Sequence, residues 1–224
     1  GLGDVYKRQH VPCVVSDPDE AVLEKESVFG QTFSYKGEEF AISLAGVYQK
    51  ENAVLALNAL EELDRLGWTT TMEQRKDGLL HTSWKGRFTV INKKPLFIVD
   101  GAHNAGAADK MAESIRHYFN GKKLIYIMGV FADKEYKIVL EKTAHFAEKI
   151  YTIETPDNPR ALPAEELAKA ARVYNSSAES TKSIKDAVEK AFSCAGDDEN
   201  SVILAFGSLS FIGALTDAVE EYVG

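Results

Sequence analysis

Residues 96–104 read Leu-Phe-Ile-Val-Asp-Gly-Ala-His-Asn. The first four are a short apolar run of the kind that forms a buried strand. The next five are polar or small, and they open a helix predicted over Ala105 to Phe119. The same alternation continues outward. Lys123 to Val130 (KLIYIMGV) reads as a buried strand, Glu135 to Lys149 as a helix and Ile150 to Glu154 as a strand. A helix over Pro163 to Arg172, a weak element near Val173 and a helix over Thr181 to Ser193 follow. Ser201 to Phe206 (SVILAF) is the last buried strand and Ser210 to Tyr222 the last helix. Upstream, Phe88 to Ile91 is another short run. Continuous apolar strands alternating with amphipathic helices predict an α/β fold with a mostly parallel sheet covered on both faces.

The first third follows a different pattern. Thr32 to Tyr35 and Glu38 to Leu44 alternate around Lys36-Gly37, which predicts a hairpin. Residues 17–30 read as a short polar helix or loop. Gln49 to Leu66 is a helix by the recurrence of Ala53, Ala56, Leu57, Leu60, Leu63 and Leu66, and Met72 to Leu80 a second, short one. A domain boundary is expected near His81 to Lys85, giving domains at 11–83 and 84–224. Residues 1–10 fit neither period and are read as a disordered or foreign end. Val11 to Val15 already reads as a strand, so a portion before it is expected to be missing.

Lys and Arg number 26 against 34 Asp and Glu, a net charge of −8. That balance argues against general affinity for nucleic-acid backbones or anionic membranes. No run of 18 apolar residues and no apolar leader occurs. Cys13 and Cys194 lie far apart and form no CxxC pair, which suits a reduced, cytoplasmic chain.

Five places carry candidate chemistry, and each also has an ordinary structural use. Asp100 can accept from a sugar hydroxyl, and His103 can donate to a carboxylate or phosphate at a helix N-terminus that favours anions. Equally, Asn104 can cap the helix and Asp100 simply end the strand. Asn52 shares a helical face with Ala56, Ala59 and Leu63, so its amide can pair with an adenine edge or serve as a helix-end cap. Arg87, in Lys85-Gly86-Arg87, can bind phosphate through its guanidinium fork or lie in a solvated basic turn. Ser208, after Phe206-Gly207, can hold a ligand or cap the last helix. Arg160, in Asp157-Asn158-Pro159-Arg160, can hold a carboxylate or sit on the surface. There is no GxxxxGK[ST], no GxGxxG and no GxSxG, and the five histidines show no metal-ligand spacing with cysteines or carboxylates.

Six stretches in order give a family resemblance: 44–60 (LAGVYQKENAVLALNAL), 84–87 (WKGR), 100–104 (DGAHN), 129–135 (GVFADKE), 158–163 (NPRALP) and 206–209 (FGSL). Together they resemble the folylpolyglutamate synthase/dihydrofolate synthase family of the Mur-ligase superfamily, in its C-terminal portion. The resemblance implies the tail of a central ATP-binding domain followed by a Rossmann-like C-terminal domain. It implies an ATP-dependent ligase that adds glutamate to the γ-carboxyl of a folate through an acyl phosphate. ATP and Mg²⁺ would be its cofactors, with the metal ligands and P-loop expected upstream of this chain.

By motif position, Asn52, Arg87 and Asp100 would contact ATP. His103 would lie near the transferred phosphoryl group or the incoming glutamate, and Ser208 and Arg160 near the glutamate. Tyr48 stands where members commonly have His, and Glu135 where Asp is common. Partners would be small molecules (folate, L-glutamate and ATP), with no nucleic acid and no membrane, and the chain a cytoplasmic monomer without activity on its own. Two alternatives remain: a Mur-type ligase for another acid, and a non-catalytic α/β binding module.

Overall fold

The computed structural model describes residues 13–224. The end expected to be disordered or foreign, 1–10, lies outside the described residues. So do the first two residues of the expected strand at Val11 to Val15, whose remaining three belong to no regular element. The chain divides into two compact units. One takes the described residues up to Glu26 with Gly30–Ser43 and Tyr48–Thr82. The other takes Ser27–Phe29, Leu44–Val47 and Ser83–Gly224.

In the first unit, β1 (Val22–Ser27), β2 (Gly30–Tyr35) and β3 (Glu38–Ile42) form a three-stranded sheet in that order. Strands β2 and β3 make the expected hairpin. Lys36 (φ 51°) and Gly37 (φ 80°) are both left-handed, the turn whose twist matches its strands. Helices α1 (Gln49–Arg65) and α2 (Met72–Leu80) follow. Ala53, Val54 and Leu57 of α1 bury against Phe33, Tyr35, Phe40 and Ile42. Thr71 and Gln74 close a reciprocal cap on α2, with bonds of 3.2 and 2.9 Å. Strand β1 corrects the reading of 17–30 as helix or loop, of which only Pro18–Glu20 turns helically. Nearly all of β1 is exposed, so no buried face imposes an alternating pattern on its sequence.

In the second unit a six-stranded sheet runs β4-β5-β9-β6-β7-β8. Its strands are β4 (Thr89–Lys93), β5 (Leu96–Val99), β6 (Lys123–Met128), β7 (Ala147–Thr152), β8 (Ala178–Ser180) and β9 (Ser201–Phe206). Only β4 runs antiparallel. Five helices cover it: α3 (Ala105–Tyr118), α4 (Tyr136–Thr143), α5 (Ala164–Ala171), α6 (Ile184–Ala195) and α7 (Ile212–Val223). Strands β6 and β9 carry apolar residues on both faces because helices cover both. Tyr126, Met128, Leu204 and Phe206 meet α3, α4 and α5, while Ile125, Ile127, Ile203 and Ala205 meet α6 and α7. Each such large side chain contributes about 1.5–3 kcal/mol by leaving water, so the two central strands anchor the unit.

Three expectations needed correction here. The helix predicted to reach Lys149 stops at Thr143, turns through Ala144–Phe146 and becomes β7 at Ala147, because Ala147 pairs with Leu124 of β6. The element near Val173 is instead β8 at Ala178–Ser180, while Val173 is 76% exposed. Phe88, expected to begin a strand, sits buried at φ 46°, and β4 starts one residue later. No helix among the described residues is long and apolar enough to cross a membrane.

Strand β9 lies between β5 and β6. Yet β5 and β6 lead into helices on one face, and β9 leads into α7 on the other. The chain thus diverges at the carboxyl ends of these three strands, which is where open α/β sheets form ligand crevices.

Candidate functional site

The crevice opens into a cavity of about 410 Å³ lined by His103, Phe131, Lys134, Gly207, Ser208, Leu209 and Ser210. Its floor depends on backbones packed closer than side chains permit. Gly207 has φ +119°, and a Cβ there would stand 2.5 Å from the Gly129 carbonyl oxygen. Gly101 donates to the Gly86 carbonyl at 2.7 Å, and the Leu209 side chain lies where a Cβ on either Gly86 or Gly101 would go.

Asp100 directly follows β5 and is 4% exposed. One carboxylate oxygen accepts from the Phe88 N–H at 2.8 Å and the other from the Ala102 N–H at 2.7 Å. Burial pushes this carboxyl up to about 6, against the pull of those two bonds and of the positive charge near it at Arg87. Asp100 therefore ties the 84–88 turn to the strand end. Arg87 follows in that turn, half-buried, with its guanidinium 5.7 Å from the Trp84 ring centre. No carboxylate among the described residues pairs with it.

His103 Nδ1 lies 2.7 Å from the Gly101 carbonyl oxygen. A carbonyl only accepts, so Nδ1 carries the proton, and Nε2 of the neutral ring keeps its lone pair. Asn104 caps α3, accepting from the Ala107 N–H at 2.9 Å, and Glu135 accepts from the Ala105 N–H at 3.2 Å. The helix end expected to draw an anion thus already holds two of the chain's own oxygens. Ser208 caps the turn Leu209–Phe211, and its hydroxyl lies 2.7 Å from that of Ser210. It both caps and lines the cavity.

Arg160 is not among the residues that line the cavity. Its guanidinium is engaged by the Asp133 carboxylate at 3.2 and 2.6 Å. Asn52 lies in the first unit, exposed on α1, and donates to the Gln49 side chain at 3.0 Å. Ala56, Ala59 and Leu63 on its face are exposed as well, while the buried face carries Gln49, Ala53, Val54, Leu57 and Asn58. The second unit thus gathers His103 and Ser208 at one cavity, whose lining includes neither Asp100 nor Arg87.

Sequence reasoning missed Lys134. It follows the carboxyl end of β6 as His103 follows β5, and that parallel was the signal available. Lys134 lines the cavity, and its ammonium has no ion pair among the described residues. No group of three or more His, Cys, Asp or Glu among the described residues could hold a metal ion. The side chains of the described residues do not fit Mg²⁺.

A mostly parallel α/β unit with a lysine, a histidine and two hydroxyls gathered at its switch point defines a domain of the Rossmann-like class, and such crevices are where folds of that class hold their ligands. Residues 86–209 match the Mur ligase, glutamate ligase domain, and the chain belongs to that family, in its folylpolyglutamate synthase/dihydrofolate synthase branch and as a C-terminal portion. A dihydrofolate synthase/folylpolyglutamate synthase of Bacillus subtilis is 28% identical over 213 residues, covering 92% of this chain and 47% of the relative. A folylpolyglutamate synthase of Lacticaseibacillus casei is 28% identical over 60% of this chain and 33% of its own. The Mycobacterium tuberculosis folylpolyglutamate synthase, solved with ADP and AMPPCP, superposes with a TM-score of 0.80 at 23% identity, over 99% of this chain and 51% of that one. The chain thus spans about half the length of relatives that match it nearly end to end.

Proposed function

We propose that this chain is the glutamate ligase portion of an ATP-dependent enzyme that adds L-glutamate to the γ-carboxyl of a folate. A carboxylate oxygen of the folate attacks the γ-phosphorus of ATP, giving an acyl phosphate and ADP. The glutamate amine then attacks the acyl carbon, the bond to the phosphate oxygen breaks, and phosphate leaves. Such chemistry is mostly positioning and charge neutralisation. Arg87 and Lys134 supply positive charge to phosphoryl or carboxylate oxygens. With Nδ1 engaged, His103 has Nε2 left to take the proton that the amine loses. Ser208 and Ser210 hydrogen-bond the glutamate. Asn52 and Asp100 serve the nucleotide, Asp100 through lone pairs its two backbone bonds leave over. The 224-residue chain alone, which has no GxxxxGK[ST] sequence, turns over no ATP.

The observation that supports this reading is the cavity itself: a lysine without an ion pair, a histidine of fixed tautomer and two hydroxyls, all at the switch point of a glutamate ligase fold. The test is a titration of the chain with L-glutamate, inorganic phosphate and ATP, followed by NMR. The His103 ring and the Ser208 amide should shift with glutamate or phosphate. Lys134→Ala should weaken that binding by about tenfold, the size of a charge-assisted hydrogen bond. A chain whose His103 and Ser208 signals ignore all three ligands overturns the reading.

A further inference from the structure

The Asp133–Arg160 pair joins two loops that are otherwise held by backbone bonds. The Ala132 N–H donates to the Arg160 carbonyl at 2.8 Å, and the Leu162 N–H to the Val130 carbonyl at 3.0 Å. The Arg160 guanidinium also lies 4.7 Å from the Phe131 ring centre. Its own loop is shaped to present it: Asp157 is left-handed at φ 52°, and the Asn158 side chain accepts from the Arg160 N–H at 3.0 Å. On the other side the Lys134 N–H closes a turn to the Phe131 carbonyl at 3.1 Å. Phe131 and Lys134 both line the cavity.

We infer that Arg160 is a positioning residue: with Asp133 it clasps the 131–135 turn so that Phe131 and Lys134 stay on the cavity wall, and it does not itself touch a ligand. This rests on the reading of the cavity as the ligand site. The guanidinium fork already holds one carboxylate through two bonds. To take a ligand carboxylate it would have to release Asp133, leaving a bare carboxylate beside an incoming one. The ligand's anion would then be opposed by charge at the point where it needs a cation. Lys134, one residue on, is already free to meet it.

The two roles separate in Asp133→Asn. If Arg160 positions, Asp133→Asn and Arg160→Ala act alike. If Arg160 binds the ligand, Asp133→Asn liberates it. In the wild-type chain and in Asp133→Asn, Arg160→Ala and Arg160→Lys, amide hydrogen exchange is measured at Ala132 and Leu162, with L-glutamate titrated in parallel. Asp133→Asn and Arg160→Ala should each speed exchange at both amides by about three- to fivefold, the range of an exposed ion pair. They should weaken glutamate binding to similar extents, and Arg160→Lys should recover part of each effect. Wild-type exchange in Asp133→Asn, or tighter glutamate binding in it, overturns the proposal. If the wild-type chain binds no glutamate, the functional reading fails by itself, and the clasp stands or falls on exchange at the two amides.

Discussion

The two rims of the cavity are built by opposite means. The rim from β5 and β9 is close-packed backbone: Gly86, Gly101 and Gly207 let main chains approach, and Asp100 is buried under two N–H groups. The rim at 131–135, braced by the 157–162 loop, is a surface construction, in which Asp133 and Arg160 are about half exposed and hydrogen-bond each other directly within reach of solvent. Geometry on the first rim is set by what cannot fit. On the second it is set by an attraction that solvent weakens. The first rim should therefore fail globally when altered, and the second only locally.

The largest expected effect is Gly207→Ala. The new Cβ would meet a backbone carbonyl at 2.5 Å from a left-handed backbone, and neither can move away cheaply. A loss of about 2–5 kcal/mol in urea unfolding is expected. Gly101→Ala places its Cβ equally close to Leu209, but that contact is a side chain 43% exposed, able to swing toward water. A cost of about 1–2 kcal/mol is expected there. Equal costs for the two would show that the floor's rigidity does not come from the Gly207–Gly129 approach.

Next in size is the pH dependence of Asp100. Its carboxyl is raised from 3.8 to about 6 by burial. Between these values the folded chain holds a proton that the unfolded chain has released. Stability from this group is therefore fully present below 3.8, is lost as pH rises toward 6, and is level above that. The difference is about 3 kcal/mol at 1.36 kcal/mol per unit. Asp100→Asn should lower stability overall but flatten this slope. A slope that persists unchanged in Asp100→Asn assigns it to another group.

The close-packed rim was also the more legible one. Residues 96–104 and 201–209 carry their own signals, because a buried strand must be continuously apolar and a forced close approach must be glycine. The second rim follows from contacts between residues 27 apart in sequence, and nothing local to Asp157-Asn158-Pro159-Arg160 names Asp133 as the partner of Arg160. Lys134 was hidden for the same reason, since a lysine in a turn is ordinary until the fold places it beside His103. Strands β1 and β8 were illegible on other grounds: one is exposed along almost its whole length, and the other is three residues long at a sheet edge. Asn52 lies on the expected helix, on a face whose Ala56, Ala59 and Leu63 are exposed.

The smallest effect sharpens the comparison most, because its sign is reversed. Pairing with Arg160 holds the Asp133 carboxyl below its ordinary 3.8. Whatever this pair contributes is present above that value and is lost as pH falls through the lowered one, the opposite direction and a lower window than for Asp100. Because both partners are exposed, the unfolding midpoint should not register the change. Exchange at Ala132 and Leu162, normalised to the intrinsic rate at each pH, should rise only below the ordinary value, and sodium chloride should produce a similar rise at neutral pH by screening. Asp133→Asn should remove both responses. If acid instead loosened the Asp100 turn and the 131–135 turn together, the two rims would be one cooperative unit, and the division between packed and charge-held walls would fail.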